Sequence, residues 1–156
     1  IGLCRLQQVL RDFSPVFLNE ASVRDDGPRA LLMSVPGGQH TFGISMVAEF
    51  FRRARWDVTT GSPVARDELI RTVRSQWFSV VGLSVSCDVQ LDQLVATIRL
   101  IRRASRNPAV GIMVGGPIFI MNPGLVALVG ADATAADARE APLQAENLLA
   151  LVTKQS

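Results

Sequence analysis

Three short apolar runs, Arg29–Val35, Val80–Ser86 and Val110–Val114, alternate with longer amphipathic stretches, and that alternation limits the fold more than any other feature of the chain. A run that is apolar at nearly every position suits a strand covered on both faces, as strands of parallel sheets are. After the first run, Ile44, Val47 and Phe51 recur at helical spacing with Met46, Phe50 and Ala54 beside them, while Glu49, Arg52, Arg53 and Arg55 fall on the polar side. Leu69, Ile70 and Val73 mark a second helix from about Ala65 to Arg74. Leu91, Leu94, Val95, Ile98 and Ile101 mark a third, which Asn107-Pro108 closes. Trp56–Thr59 reads as a brief strand, Leu125–Val129 as a short helix, Ala131–Ala135 as a last short strand and Leu143–Val152 as a final helix.

Strict alternation of strands and helices implies right-handed crossovers and helices on both faces of one sheet. The predicted architecture is α/β and flavodoxin-like: a five-stranded parallel sheet of order 2-1-3-4-5. Upstream, Leu6, Val9, Leu10 and Phe13 are at helical spacing within Leu3–Phe17, and Asp25-Asp26-Gly27-Pro28 separates that stretch from strand one. Residues 1–28 are therefore read as an extra helix and linker, and residues 29–156 as the domain proper.

A chain of 156 residues, 48% hydrophobic and 19% charged, has apolar material for one ordinary core. Its formal charge of +2 is spread along the sequence. Arg52, Arg53 and Arg55 read as a solvated helix face, so direct DNA binding is not expected. Cys4 and Cys87 are too few and too far apart for a disulfide framework or a zinc site. Cys87 is read as a small buried residue rather than a redox group. No apolar run reaches the length of a membrane span, and a reducing, cytoplasmic setting is the default. A start at Ile1 reads as a domain cut from a longer polypeptide.

In the order 2-1-3-4-5, the loops after strands one, three and four meet at the switch point, which brings His40, Ser84, Ser86, Gly115 and Gly116 to one rim. His40 is the only histidine and lies within Gly38-Gln39-His40-Thr41-Phe42-Gly43, between a strand and a helix. Small neighbours clear room for a planar ligand to approach an imidazole nitrogen. A phosphate loop is poorly supported for want of Gly-Lys-Ser/Thr, as is a dinucleotide site, since Gly37, Gly38 and Gly43 lack its spacing. Strand one has no acidic pair and strand three no phosphoacceptor aspartate, which excludes a phosphoreceiver. Plainer readings stand beside these. On these, Ser84 and Ser86 only satisfy backbone groups at a strand end, and Gly115-Gly116 makes a turn. Trp56 and Trp77 fill helix–sheet contacts or anchor a partner.

These residues resemble a known family, the cobalamin-binding domains of methionine synthase, methylmalonyl-CoA mutase and their regulatory relatives. That family carries Asp-x-His-x-x-Gly after strand one, Ser-x-Leu or Ser-x-Thr at strand three and Gly-Gly after strand four. The counterparts are Gly38-x-His40-x-x-Gly43, Ser84-x-Ser86 and Gly115-Gly116, within a resemblance covering roughly Arg29 to Val152. It implies that His40 is the axial ligand of a tetrapyrrole metal, heme iron or cobalt. It also implies a cofactor-binding role for Gly38, Gln39, Thr41, Phe42, Gly43, Ser84, Ser86, Gly115 and Gly116, with Phe42, Val85, Met113 and Ile118 as an apolar shell. Gly38 stands where the family has the aspartate that orients the imidazole, which speaks against catalytic cobalamin chemistry.

Within that family, Pro36–Gly43 followed by Phe50-Phe51-Arg52-Arg53 and Trp56-Asp57-Val58 is similar to the heme-sensing (SCHIC) domains of photosynthesis antirepressors, the AppA and AerR type. This similarity implies a sensory domain rather than an enzyme, with heme as the cofactor, cobalamin as the alternative, or no ligand in the isolated domain. It further implies a PpsR-type transcription repressor as partner and a flavin-binding blue-light domain elsewhere in the full-length chain. Two other readings stay open: a corrinoid-carrying domain of a methyltransferase or mutase, and a ligand-free interaction domain of the same fold.

Overall fold

Residues 28–34, 42–60, 66–85, 91–135 and 137–155 are described by the computed structural model. Their elements are β1 (Arg29–Ser34), α1 (Phe42–Arg53), β2 (Asp57–Thr60), α2 (Arg66–Ser75), β3 (Val80–Ser84), α3 (Leu91–Ala104), β4 (Gly111–Gly115), α4 (Pro117–Met121), α5 (Leu125–Leu128) and α6 (Ala141–Gln155). The helix expected over Leu3–Phe17 lies outside the described residues. None of the described helices is long and apolar enough to cross a membrane.

The strands pair in parallel in the order β2-β1-β3-β4. Because successive side chains point to opposite faces, the apolar runs divide into two cores. Leu31, Met33, Val81, Leu83, Ile112 and Val114 pack with Leu69 and Val73 of α2 and Leu94, Ile98 and Ile101 of α3. On the other face, Ala30, Leu32, Val80 and Met113 pack with Ile44, Ala48 and Phe51 of α1 and Ala141 and Ala145 of α6. Gly82 is explained by this arrangement: it is paired with Leu32, and a Cβ there would lie 2.6 Å from Leu32 Cδ2. The glycine lets a large side chain cross the centre of the sheet.

Helix α1 closes with a Schellman pattern. Trp56 N–H donates to the Phe51 carbonyl (3.0 Å) and Arg55 N–H to the Arg52 carbonyl (3.0 Å), with Arg55 at φ 72° where glycine is usual. The hydrophobic contact that accompanies the motif is Trp56 edge-on against Phe51, with ring centroids 5.0 Å apart. Glu49, expected on the solvated side of α1, is instead buried at 6% exposure. Arg52, one turn on, donates to its Oε1 at 3.0 Å and supplies the neutralising charge.

The fifth strand expected at Ala131–Ala135 is not formed as a strand. In place of a ladder the segment makes a single parallel bridge to β4, Met113 to Ala133, with Val114 N–H donating to the Ala133 carbonyl at 3.1 Å. The reason is a side chain that takes the place of backbone. Asp132 Oδ2 accepts from the Ile112 N–H at 2.8 Å, while the Ile112 carbonyl accepts from both Asp132 N–H (2.8 Å) and Ala133 N–H (3.3 Å). The same carboxylate oxygen holds Arg102 Nη2 at 3.0 Å, and that nitrogen also donates to the Gly130 carbonyl at 2.7 Å. Asp132 thus caps the edge of β4 and ties it to the end of α3.

Asp132→Ala leaves the Ile112 N–H without its acceptor and is expected to cost about 1–3 kcal/mol in urea unfolding. Asp132→Asn keeps an acceptor oxygen and recovers most of that loss; an alanine variant as stable as the native chain would remove Asp132 from this role.

Candidate functional site

Parallel pairing sets the ends of three strands side by side. Ser34 of β1 is in register with Ser84 of β3, and Ser84 with Gly115 of β4, all at the carboxyl end of the sheet. Counting alternate positions from Val80 through Gly82, Ser84 falls on the face that α1 and α6 cover. Gly115 continues the same face from Met113.

The two glycines of the Gly115-Gly116 pair serve different ends. A Cβ built on Gly115 meets no atom of the described residues within 4 Å, so among them the space beside it is open. A Cβ on Gly116, whose φ is +142°, would collide with the Val85 carbonyl oxygen. Gly116 therefore permits a close crossing of two backbones at a conformation L-residues rarely adopt. The crossing is secured by Val85 N–H donating to the Gly115 carbonyl at 2.8 Å and Phe119 N–H to the Gly116 carbonyl at 3.1 Å. Pro117 in the first turn of α4 and buried Phe119 fix the helix that leaves this corner.

Of the residues singled out in the sequence, the structure brings Ser84, Gly115 and Gly116 together, and Phe42 and Gly43 open α1. Gly38, Gln39, His40, Thr41 and Ser86 lie outside the described residues, as do Cys4 and Cys87. The expected apolar shell divides. Val85 and Ile118 pack in the core beneath α2 and α3, whereas Met113 packs in the core beneath α1 and α6. A continuous apolar run conceals this, because its two faces are equally hydrophobic. Thr134 went unnoticed in the sequence; its Oγ1 is buried with no hydrogen-bond partner among the described residues, one residue beyond the Met113–Ala133 bridge. Among the described residues no three histidine, cysteine or acidic side chains gather to hold a metal ion. The described part of the rim offers a hydroxyl, backbone groups and open space.

Residues 28–145 match the family model for the B12 binding domain. A cobalamin-binding protein from Desulfitobacterium hafniense DCB-2 has a similar structure, with a TM-score of 0.70 and 19% identity over 92% of this chain and 66% of its own. The Methanosarcina barkeri monomethylamine corrinoid protein gives a TM-score of 0.64 and 21% identity over 87% of this chain and 63% of its own. The chain thus spans somewhat under two thirds of the length of these solved proteins, and at such identities the likeness is one of fold. No curated protein matches the chain.

Gly116→Ala forces a strained φ and a backbone collision, and a loss of about 1–3 kcal/mol or more is expected on chemical unfolding. Gly115→Ala, with open space around it, is expected to stay within about 0.5 kcal/mol of the native chain. Equal losses at the two positions would refute this division of labour.

Proposed function

This chain belongs to the B12-binding domain family, and on that premise we propose that it is a corrinoid-carrying domain that holds cobalamin against the carboxyl ends of β1, β3 and β4. The observation that supports the reading most is the open space at Gly115, in register with Ser84 and next to the Gly116 crossing. A slot floored by a serine and glycines suits the slender polar tail of a corrinoid, since it offers a hydroxyl and close backbone approach without side chains in the way.

In this reading His40, on the connection from β1 to α1, supplies the imidazole that ligates cobalt. Gln39, Thr41, Phe42, Gly43 and Ser86 complete the surroundings of the bound group. A bound corrinoid supplies a cobalt centre able to carry an alkyl group. The chain itself binds and orients. With Gly38 at the position of the family's aspartate, no carboxylate from that position fixes the imidazole tautomer, and a carbonyl or water takes its place. Such a domain works as a carrier between partner proteins that load and unload the cobalt, and we place it in a reducing, cytoplasmic setting.

A second reading, a heme-sensing antirepressor domain that binds a PpsR-type repressor, is favoured by one observation. Gly38 and the surrounding Pro36–Gly43 depart from the enzymatic pattern in the way that group does. The two readings differ in the tetrapyrrole that is bound.

Absorption titrations of the purified chain with hydroxocobalamin and, separately, with hemin decide between them. Saturable cobalamin binding is expected, weakened on the order of ten- to a hundredfold by His40→Ala. Gly115→Val, which fills the slot, is expected to weaken it too. Absence of saturable cobalamin binding would refute the carrier reading, and a His40-dependent Soret shift with hemin would put the sensor reading in its place.

A further inference from the structure

At the amino end of the sheet, opposite the proposed cofactor rim, α2 and α3 finish side by side. Immediately after α2 the chain presents Trp77 at 48% exposure, whereas the other tryptophan, Trp56, is 4% exposed and packed in the core. The turn that carries Trp77 is firmly held. Phe78 is buried and its carbonyl accepts from Asn107 Nδ2 at 2.9 Å. Arg106 N–H donates to the Val73 carbonyl at 2.8 Å, and its Nη1 to the Ser75 carbonyl at 3.2 Å. Trp77 is therefore displayed on a rigid base, which limits the entropy lost when a partner covers it.

Three cationic groups lie on the same two helix ends. Arg74 is in the last turn of α2, Arg103 in the last turn of α3 and Arg106 just beyond. All three are exposed, and none forms an ion pair with a carboxylate among the described residues. Their neighbours differ: Arg29 is paired with Asp57 at 3.4 Å and Arg102 with Asp132 at 3.0 Å. The acids of α2 and α3, namely Asp67, Glu68 and Asp92, are all in first turns at the opposite ends of those helices. Arginine in a last turn complements the helix dipole, which accounts for Arg74 and Arg103 structurally. It does not account for a large aromatic displayed among them. Tryptophan and arginine are the residues most enriched where interfaces concentrate their binding energy.

We infer that Trp77, Arg74, Arg103 and Arg106 form a docking surface for an acidic protein segment that covers the indole with an apolar side chain. Charge complementarity selects an acidic partner. Single-stranded nucleic acid binds on successive aromatic platforms, and Trp77 is the sole aromatic among the exposed large hydrophobic residues described, so a protein segment is the better fit. The surface is at the pole away from Ser84 and Gly115, so it would engage a partner without blocking the rim.

The test uses the full chain and a fluorescein-labelled peptide of Glu and Asp residues around a central Leu-Phe pair. Controls are the same peptide with Gln and Asn for the acids and a labelled thymidine oligonucleotide of equal charge. Saturable binding of the acidic peptide is expected, with affinity falling as salt is raised. Trp77→Ala is expected to weaken it by about thirtyfold, and Trp77→Phe less. Arg74→Gln with Arg103→Gln is expected to weaken binding and flatten its salt dependence. Thermal unfolding confirms that each variant stays folded, and hydroxocobalamin binding is expected to be unchanged in them, which separates this surface from the proposed rim. No saturable peptide binding, equal binding by the variants, or preference for the oligonucleotide would each overturn the inference.

Discussion

The in-register parallel pairing of β1, β3 and β4 governs the rest of this molecule. Because Ser34, Ser84 and Gly115 share one level, every crossover must leave from the same end of the sheet and return to the other. Helices then cover both faces, and the strands must be apolar on both. At the carboxyl end this register sets Ser84 beside Gly115. Gly82 makes the pairing compatible with a full core, since it accepts Leu32 across the centre of the sheet. Gly116 lets the backbone turn away from β4 while crossing Val85. The fold and the candidate site therefore rest on the same register.

Much of this was legible in the sequence because apolar runs and helical spacing report burial directly. Val80–Ser86 and Val110–Val114 read as strands and the pattern from Leu91 to Ile101 as a helix, within a few residues of the observed β3, β4 and α3. What escaped was whatever depends on pairing or on side-chain substitution. Ala131–Ala135 has the composition of a short strand, yet Asp132 satisfies the Ile112 N–H through its carboxylate and leaves a single bridge where a fifth strand was expected. The burial of Glu49 depends on its Arg52 partner, and helical periodicity alone put it in water. Val85 and Met113 belong to different cores, which no run apolar on both faces can reveal. The end of α1 went unmarked because Arg55 occupies the left-handed position where glycine would have given a signal.

For the site, the Gly115-Gly116 pair was legible because glycine doublets after a strand have few explanations. Which glycine leaves space and which permits the crossing depended on three-dimensional distances. The match over residues 28–145 makes the chain a B12-binding domain, and Gly38 differs from the aspartate of the enzymatic pattern. The two poles of the domain then carry different chemistry. The carboxyl end has the Ser84 hydroxyl beside Gly115 and Gly116; the opposite end has an exposed indole and exposed arginines. A domain built this way is suited to hold a cofactor at one end while being gripped at the other.

The most direct test of the central claim is amide chemical-shift mapping of the 15N-labelled chain during addition of hydroxocobalamin. Saturable shifts are expected to concentrate at Ser84, Val85, Gly115, Gly116 and the first turn of α1, with Trp77, Arg103 and Arg106 unmoved. Shifts centred on the amino end of the sheet, or no saturable shifts anywhere, would contradict it.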